Sequence, residues 1–170
     1  DGKLSYCLKS CGLDGEDGKT SATVDGLFDT YSDYGGFYIS YMCVSSDGSI
    51  FLGTDTEVLA LSYDFIKKFS VTTYNYITAM SLSNTGEVYI ASFFENGSGI
   101  AKVDEETKAL SDPIYPGDKV RQIFFGDGYD LYLTQDDGFY GCTVTENGCE
   151  VEMLMSYTSS DSTADSFTIV

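Results

Sequence analysis

Four tyrosines and one arginine are the residues of this chain best suited to binding a ligand. They are Tyr38, Tyr41, Tyr74, Tyr76 and Arg121, all in the first strand of a predicted strand unit. A tyrosine offers a flat apolar face and a hydroxyl, a combination that suits sugars and peptides. We expect a small-molecule, glycan or protein ligand at these residues. The alternative is that the tyrosines pack between neighbouring sheets and that the arginine pairs with a carboxylate.

The sequence predicts no catalytic centre, no cofactor and no metal site. It contains no histidine, and it lacks Gly-x-Ser-x-Gly, phosphate-loop and HExxH motifs. Asp136 and Asp137 are adjacent and point to opposite sides of a strand, whereas a paired-carboxylate glycosidase needs two acids about 5–10 Å apart in one cleft. No Cys-x-x-Cys pair is present, which argues against a structural zinc site. We therefore expect a protein that is not an enzyme.

Two pairs of cysteines are candidates for disulfides. Cys142 and Cys149 flank a predicted hairpin turn, TVTENG, and Cys7 lies close to Cys11. Neighbouring strands bring Cα atoms within the roughly 7 Å that a disulfide needs. Free buried thiols are the alternative for both pairs. Cys43 falls in an apolar strand and is expected in the core.

The chain is strongly acidic, with a formal net charge of −18. No basic residue follows Arg121, whereas nine acids do. Such a surface repels phosphate backbones and anionic membranes, so we expect no nucleic-acid partner. No apolar run approaches the roughly 18 residues of a membrane span, so we expect no direct membrane insertion.

A repeated hairpin must position these residues. It occurs at residues 41–54 (YMCVSSDGSIFLGT), 79–92 (AMSLSNTGEVYIAS) and 122–135 (QIFFGDGYDLYLTQ). Each copy is a short apolar strand, a polar turn with glycine and a second strand. Ile50, Val88 and Leu131 align at spacings of 38 and 43 residues. A period of about forty residues predicts an all-β fold, a β-propeller with antiparallel four-stranded blades.

The repeat divides the single predicted domain into about three whole blades and two partial ones. The units are residues 1–31 (partial), 37–71, 73–115, 118–157 and 165–170 (partial). Either the partial units close a fourth blade, or the chain is a fragment of a longer ring, which we favour. Exposed blade edges would then favour self-association.

One segment carries a competing signal for a helix. Thr54 and Glu57 match a helix capping box, and apolar residues recur at helical spacing over residues 58–69. The corresponding segments of the other repeats, SGIAKVD and GFYGCTV, contain glycine and β-branched residues that disfavour a helix. We therefore predict strands here.

Several segments resemble the propeller-like repeats of bacterial extracellular lipoproteins. They are TDTEVLALSYDF, ITAMSLSNTGEVYIAS and GDGYDLYLTQDDGFYGCTVTENG. In that group the repeats often precede the solute-binding domain of a transporter. The resemblance, which runs over residues 38–157, implies a location outside the bacterial cell or on its surface.

The sequence thus predicts a non-enzymatic extracellular binding or scaffold propeller, and the resemblance implies a role as an accessory to a solute-binding protein of a transporter. One alternative is a propeller-fold glycan hydrolase or lyase. Another is the ligand-sensing propeller of a signalling receptor.

Overall fold

A computed structural model describes residues 39–73, 75–146 and 148–157, together with the backbone of two short strands near the start of the chain. These two strands are β1 (Cys7–Lys9) and β2 (Thr20–Thr23), and they pair antiparallel. The unit predicted at residues 165–170 lies outside the described residues, as does most of the unit at 1–31.

Three antiparallel four-stranded sheets make up the rest of the described chain. The first contains β3 (Tyr41–Val44), β4 (Ile50–Gly53), β5 (Glu57–Leu61) and β6 (Lys67–Thr72). The second contains β7 (Ile77–Leu82), β8 (Val88–Phe94), β9 (Gly97–Asp104) and β10 (Ala109–Leu110). The third contains β11 (Gln122–Phe124), β12 (Leu131–Thr134), β13 (Gly138–Thr145) and β14 (Gly148–Ser156). In each sheet the strands are ordered as they follow along the chain.

The repeated hairpin is the pair of strands that opens each sheet. Ile50, Val88 and Leu131, aligned from the sequence, are the first residues of β4, β8 and β12. The hairpin turns contain Gly48, Gly86 and Gly128, whose φ values are +83°, +88° and +102°. Only glycine adopts such values without strain, which explains why each copy carries a glycine in its turn.

The segment that carried a helix signal consists of two strands, as predicted. β5 and β6 pair antiparallel between Glu57 and Thr72. Thr54 and Glu57 form a tight turn in which Thr54 N donates to Glu57 O at 2.9 Å and Glu57 N donates to Thr54 Oγ1 at 3.1 Å. The capping-box pattern therefore closes a strand connection instead of starting a helix.

The three sheets are arranged side by side through their first strands. β7 contacts β3 on one side and β11 on the other. Two apolar clusters fill the spaces between the sheets. The cluster between the first and second sheets contains Phe51, Val58, Ala60, Phe69, Val71, Ile77, Val88, Ile90 and Val103. The cluster between the second and third contains Ala79, Ala91, Ile100, Val120, Ile123, Leu131, Leu133, Tyr140 and Cys142.

Burial of these side chains stabilises the arrangement, because a fully buried Leu, Ile or Phe contributes about 1.5–3 kcal/mol. First strands that meet at one side, with sheets that face each other through apolar clusters, are typical of consecutive propeller blades. The described part of the chain is therefore an all-β propeller unit of three blades. Among the described residues, no helix has the length and apolar character needed to cross a membrane.

Candidate functional site

The link end is the end of the three sheets at which the chain passes from one blade to the next. It comprises the links at residues 73–76 and 111–121 and the turns at residues 54–56, 95–96 and 135–137. Loops at one mouth of a propeller are where ligands commonly bind. Tyr76 and Arg121, two of the residues predicted to bind a ligand, lie in these links.

An aromatic cleft lies at the link end of the second blade. It is lined by Asn75, Phe94, Glu95, Pro113 and Tyr115 and has a volume of about 380 Å³. The rings of Phe94 and Tyr115 are nearly perpendicular, at 87°, with their centroids 6.5 Å apart. The volume of this open cleft falls in the range of small-molecule sites, and three of its five described lining residues are aromatic or proline.

The link at residues 73–76 is fixed by hydrogen bonds that hold Asn75 at the cleft. Thr73 Oγ1 donates to Asn75 O at 2.6 Å, and Ser92 Oγ lies 3.2 Å from the same oxygen and 3.1 Å from Tyr76 O. The Asn75 side-chain amide donates to Phe93 O at 2.9 Å. This wall of the cleft is therefore attached to β8 by several bonds.

The link at residues 111–121 is held against the second blade by β9. Ile114 and Ile100 exchange two backbone hydrogen bonds of 2.8 and 2.9 Å. Val120 N donates to Ser98 Oγ at 3.1 Å. These bonds place Pro113 and Tyr115, on either side of Ile114, beside the end of β8.

Gly99 allows the link to approach this closely. A Cβ atom at Gly99 would lie 3.0 Å from Phe94 Cδ2, 3.1 Å from Ile114 O and 3.2 Å from Pro113 Cβ. Because these contacts are tighter than a methyl group ordinarily accepts, a larger residue would push the walls of the cleft apart. The glycine thus shapes the cleft without lining it.

A second aromatic group lies on the opposite face of the second blade. Phe93 and Phe94 are consecutive in β8 and so point to opposite faces. Phe93 contacts the Tyr76 ring, with centroids 5.4 Å apart, and Lys119 Nζ lies 5.5 Å from the centroid of the Tyr76 ring. This face is turned toward the third blade. The Tyr76 ring is 48% exposed and remains accessible.

Arg121 is paired with a carboxylate. Its Nε donates to Asp136 Oδ1 at 2.5 Å. This hydrogen bond is the main reason why the pKa of Arg121 is raised and the pKa of Asp136 is lowered. Tyr76 lies near enough to Arg121 to interact with it electrostatically. The structure thus brings Tyr76 and Arg121 close together, with Arg121 in the pairing that the sequence left as one of two alternatives.

Tyr41 occupies a different environment from Tyr76. It is half-buried and packs against the apolar cluster between the first and second blades. Burial, followed by the nearby Asp55 carboxylate, raises the pKa of its hydroxyl. Its position matches the packing alternative. Tyr38 and Tyr74 lie outside the described residues.

The carboxylates near the link end form hydrogen bonds with different side chains. Asp136 accepts from Arg121, and Asp137 Oδ1 accepts from the Tyr140 hydroxyl at 2.7 Å. Glu95 is the carboxylate among the residues that line the cleft. Within the part of the chain that the structure describes, no group of three or more His, Cys, Asp or Glu side chains is placed to hold a metal ion.

The structure holds Cys142 and Cys149 as free thiols on neighbouring strands. Cys142 lies opposite Val151 and Cys149 opposite Val144, so the two cysteines are diagonal neighbours. Diagonal Cα atoms are about 7–8 Å apart, at the limit of what a disulfide spans. Burial, followed by a hydrogen bond to Cys149, raises the pKa of the Cys142 thiol. The disulfide between them stays a prediction.

The other cysteines add little to the site. Cys43, expected in the core, is half-buried as a free thiol, and burial raises its pKa to about 11. Cys7 lies in β1, but its side chain is outside the described residues, as is the whole of Cys11. The disulfide predicted between Cys7 and Cys11 therefore also stays a prediction.

Sequence reasoning missed the cleft because its residues lie between the repeated segments. Phe94 and Glu95 belong to FFENGSG, and Pro113 and Tyr115 to DPIYPGD, and both segments lie outside the three repeated hairpins. A usable signal was present. In a four-stranded blade the turn after the second strand and the link after the fourth strand lie at the same end, so aromatic residues in both predict a shared surface.

Comparisons with known proteins identify the fold. No family model matches the sequence, and no curated protein sequence matches it significantly. Among solved structures, virginiamycin B lyase from Staphylococcus aureus matches 90% of this chain with a TM-score of 0.59 and 14% identity. A protein from Lactobacillus plantarum matches 92% with a TM-score of 0.59 and 16% identity. The WD40 domain of Pan2 from Neurospora crassa matches 70% with a TM-score of 0.52 and 10% identity.

The matched part is about half or less of each of these structures. It covers 50% of the lyase chain, 52% of the Lactobacillus plantarum protein and 35% of the Pan2 domain. At such low identity the likeness concerns the fold alone. The chain is therefore similar to a section of a β-propeller.

Proposed function

We propose that this chain is a non-enzymatic binding module of an extracellular or cell-surface protein and that its ligand occupies the aromatic cleft at the link end of the second blade. The observation that carries the proposal is the cleft itself, whose walls Phe94 and Tyr115 stand at 87° to each other. Both links that complete the cleft are fixed by hydrogen bonds, so the ligand meets a preformed site and little ordering energy is needed.

The distribution of carboxylates supports binding over hydrolysis. Hydrolysis of a glycosidic bond by paired acids requires two carboxyl groups about 5–10 Å apart in the cleft. Among the described residues that line this cleft, Glu95 is the one carboxylate, whereas Asp136 and Asp137 accept hydrogen bonds from Arg121 and Tyr140. A glycan hydrolase or lyase is the second candidate, because the propellers with similar folds include a lyase.

The proposed location and context come from the resemblance to bacterial extracellular lipoproteins. In that setting the module would be an accessory to a solute-binding protein, or the sensing part of a receptor. The strongly acidic surface, with a net charge of −18, supports a soluble role away from nucleic acids. Immunodetection of the full-length protein on intact cells tests the location.

A ligand screen by NMR tests the binding role. Small glycans, peptides and polar metabolites are added to the isotope-labelled chain, and backbone amide shifts are followed. We expect at least one compound to shift the amides of Asn75, Glu95 and Tyr115 together. Phe94→Leu should weaken that binding, whereas Phe93→Leu, the neighbouring residue on the opposite face, should not.

The same samples distinguish the two candidates. Mass spectrometry of the glycans after prolonged incubation reports any cleavage. Binding without any cleavage product supports the binding module. A cleavage product that forms with the wild type but not with Glu95→Gln would instead show that the protein is an enzyme. If no compound in the screen shifts the cleft amides, the binding proposal is wrong.

A further inference from the structure

The cleft combines two perpendicular aromatic walls with a carboxylate at its rim. The rings of Phe94 and Tyr115 both line the cleft and are nearly perpendicular, Pro113 adds an apolar surface, and Glu95 is exposed beside them. The face of an aromatic ring carries partial negative charge and attracts a cation within about 6 Å of the centroid. The aromatic lining and the carboxylate therefore both favour a cation in the cleft.

The charge of the whole protein acts in the same direction. The net charge is −18, and three of the six lysine and arginine side chains in residues 39–73, 75–146 and 148–157 lie close to a carboxylate. Lys68 lies 3.8 Å from Asp47, Lys102 lies 2.9 Å from Glu87 and Arg121 lies 2.5 Å from Asp136. A surface with this excess of acids raises the local concentration of cationic ligands and repels anionic ones.

We infer that the cleft binds a quaternary ammonium group, such as the trimethylammonium head of choline. This inference rests on the proposed function and names the chemical class of the ligand. The methyl groups pack against Phe94, Tyr115 and Pro113, and the positive charge faces the two rings and Glu95. The cleft, at about 380 Å³, leaves room for the rest of a ligand that extends from this head group.

A quaternary ammonium fits this cleft better than a primary ammonium. A primary ammonium carries three hydrogen-bond donors and is strongly hydrated, so it loses stabilisation when apolar walls replace water. A quaternary ammonium has no donors and a large apolar surface, so the same walls favour it. The Asn75 amide already donates to Phe93 O.

Three compounds separate the contributions of charge, shape and methylation. Choline carries the quaternary ammonium, 3,3-dimethylbutan-1-ol has the same shape without charge, and ethanolamine carries a primary ammonium. Each is titrated into the isotope-labelled full chain while the amides of Asn75, Glu95 and Tyr115 are followed by NMR. We expect choline to bind with a Kd on the order of 1 mM, and the other two compounds to bind roughly tenfold more weakly or not at all.

Matched variants identify the groups responsible. Phe94→Leu and Tyr115→Leu should each weaken choline binding about three- to tenfold, whereas Phe93→Leu should leave it unchanged. Glu95→Gln should weaken it about two- to fivefold, whereas Glu150→Gln, a distant exposed acid on β14, should have little effect. Because Glu95 is exposed, choline binding should also weaken as salt is raised. An unchanged amide spectrum outside the cleft shows that each variant is folded.

The outcomes distinguish this inference from the binding role itself. If the neutral alcohol binds as well as choline, the cationic ligand class is wrong while the cleft still binds a ligand. Equal binding of ethanolamine overturns the quaternary preference. If choline shifts no cleft amide but a compound of the broader screen does, only the ligand class fails. If no compound shifts the amides of the cleft, both the ligand class and the proposed binding function are wrong.

Discussion

The ring of Tyr129 lies against Gly141, on the face of the third blade that is turned away from the second. A Cβ atom at Gly141 would come within 2.6 Å of three carbons of this ring. Tyr129 also contacts Tyr132 edge to face, with centroids 5.4 Å apart, and its hydroxyl donates to Glu152 Oε2 at 2.5 Å. These contacts leave the ring little freedom to move aside.

We expect Gly141→Ala to destabilise the protein by about 1–3 kcal/mol, because the added methyl group displaces Tyr129 from its contacts. The free energy of unfolding is measured by urea denaturation. In a Tyr129→Ala background the same substitution should cost less than about 1 kcal/mol, since the obstacle is gone. Equal costs in the two backgrounds would show that the ring does not exclude the methyl group.

Thr54→Ala should destabilise the protein by about 1–2 kcal/mol. Thr54 is 4% exposed, and its hydroxyl donates to Glu57 O at 3.2 Å and accepts from Glu57 N at 3.1 Å. Alanine removes both of these hydrogen bonds, although Glu57 O keeps its bond from Thr54 N. Thr54→Ser keeps the hydroxyl and should retain most of the stability in the same urea experiment. A serine variant as unstable as the alanine variant would assign the effect to the lost methyl group.

Alkaline pH should destabilise the chain through Tyr140. Burial and then the hydrogen bond to Asp137 raise the pKa of its hydroxyl to about 12 from the ordinary 10.0. Because the folded pKa is the higher one, the stabilising contribution is complete below pH 10 and is lost as the pH rises toward 12.

Unfolding free energies measured across this interval should fall less steeply for Tyr140→Phe than for the wild type. Asp137→Asn should reduce the dependence of the unfolding free energy on pH only in part, because burial raises the pKa of Tyr140 more than the hydrogen bond to Asp137 does. Identical slopes for wild type and Tyr140→Phe would contradict the shift.

Cys142 should resist alkylation in the folded, reduced protein. Its side chain is fully buried, and burial raises the pKa of its thiol, so little of the reactive thiolate forms at neutral pH. Mass spectrometry after timed treatment with iodoacetamide should find Cys142 labelled far more slowly than in urea. Fast labelling in the folded state would contradict this.

The same method, applied to protein kept without reductant, tests the disulfide between Cys142 and Cys149. Failure of both residues to label in urea, reversed by reductant, would confirm it. Because the two positions are diagonal in the β13–β14 register, the bond would require a local shift of these strands.

The outer edge of the third blade should promote self-association at high salt. β14 is the last strand of its sheet, and its exposed residues Met153, Leu154 and Met155 are 49%, 41% and 47% accessible. Long edge strands with apolar residues pair readily with other chains. Salt screens the mutual repulsion of molecules that carry a net charge of −18.

Sedimentation should therefore detect larger species as salt is raised, and fewer of them for Leu154→Gln and Met155→Gln. A monomer at every salt concentration would show that this edge is protected in solution.

The fold was predictable because each repeat has the same local sequence pattern. A glycine in each hairpin turn and apolar residues on each side located Ile50, Val88 and Leu131 at the start of three equivalent strands. The helical spacing after Thr54 was misleading, because every residue of β5 is buried and its sequence lacks the alternation of a half-exposed strand. Comparison with the other repeats resolved that ambiguity.

The cleft itself was not predicted from the sequence. Of the residues predicted to bind a ligand, Tyr76 lies on the opposite face of the second blade and Arg121 pairs with Asp136. Phe94 and Tyr115 meet through the fold of the second blade, in which the Ile100–Ile114 pairing returns the link to the end of β8. They are 21 residues apart in the chain. No spacing rule connects two such residues before the strand order is known.

The described residues that line the cleft come from one blade and the links on either side of it. The proposed binding at this cleft therefore does not depend on the number of blades in the ring. Duplication or loss of other blades would leave the binding surface unchanged, so ring size and ligand preference are free to evolve independently.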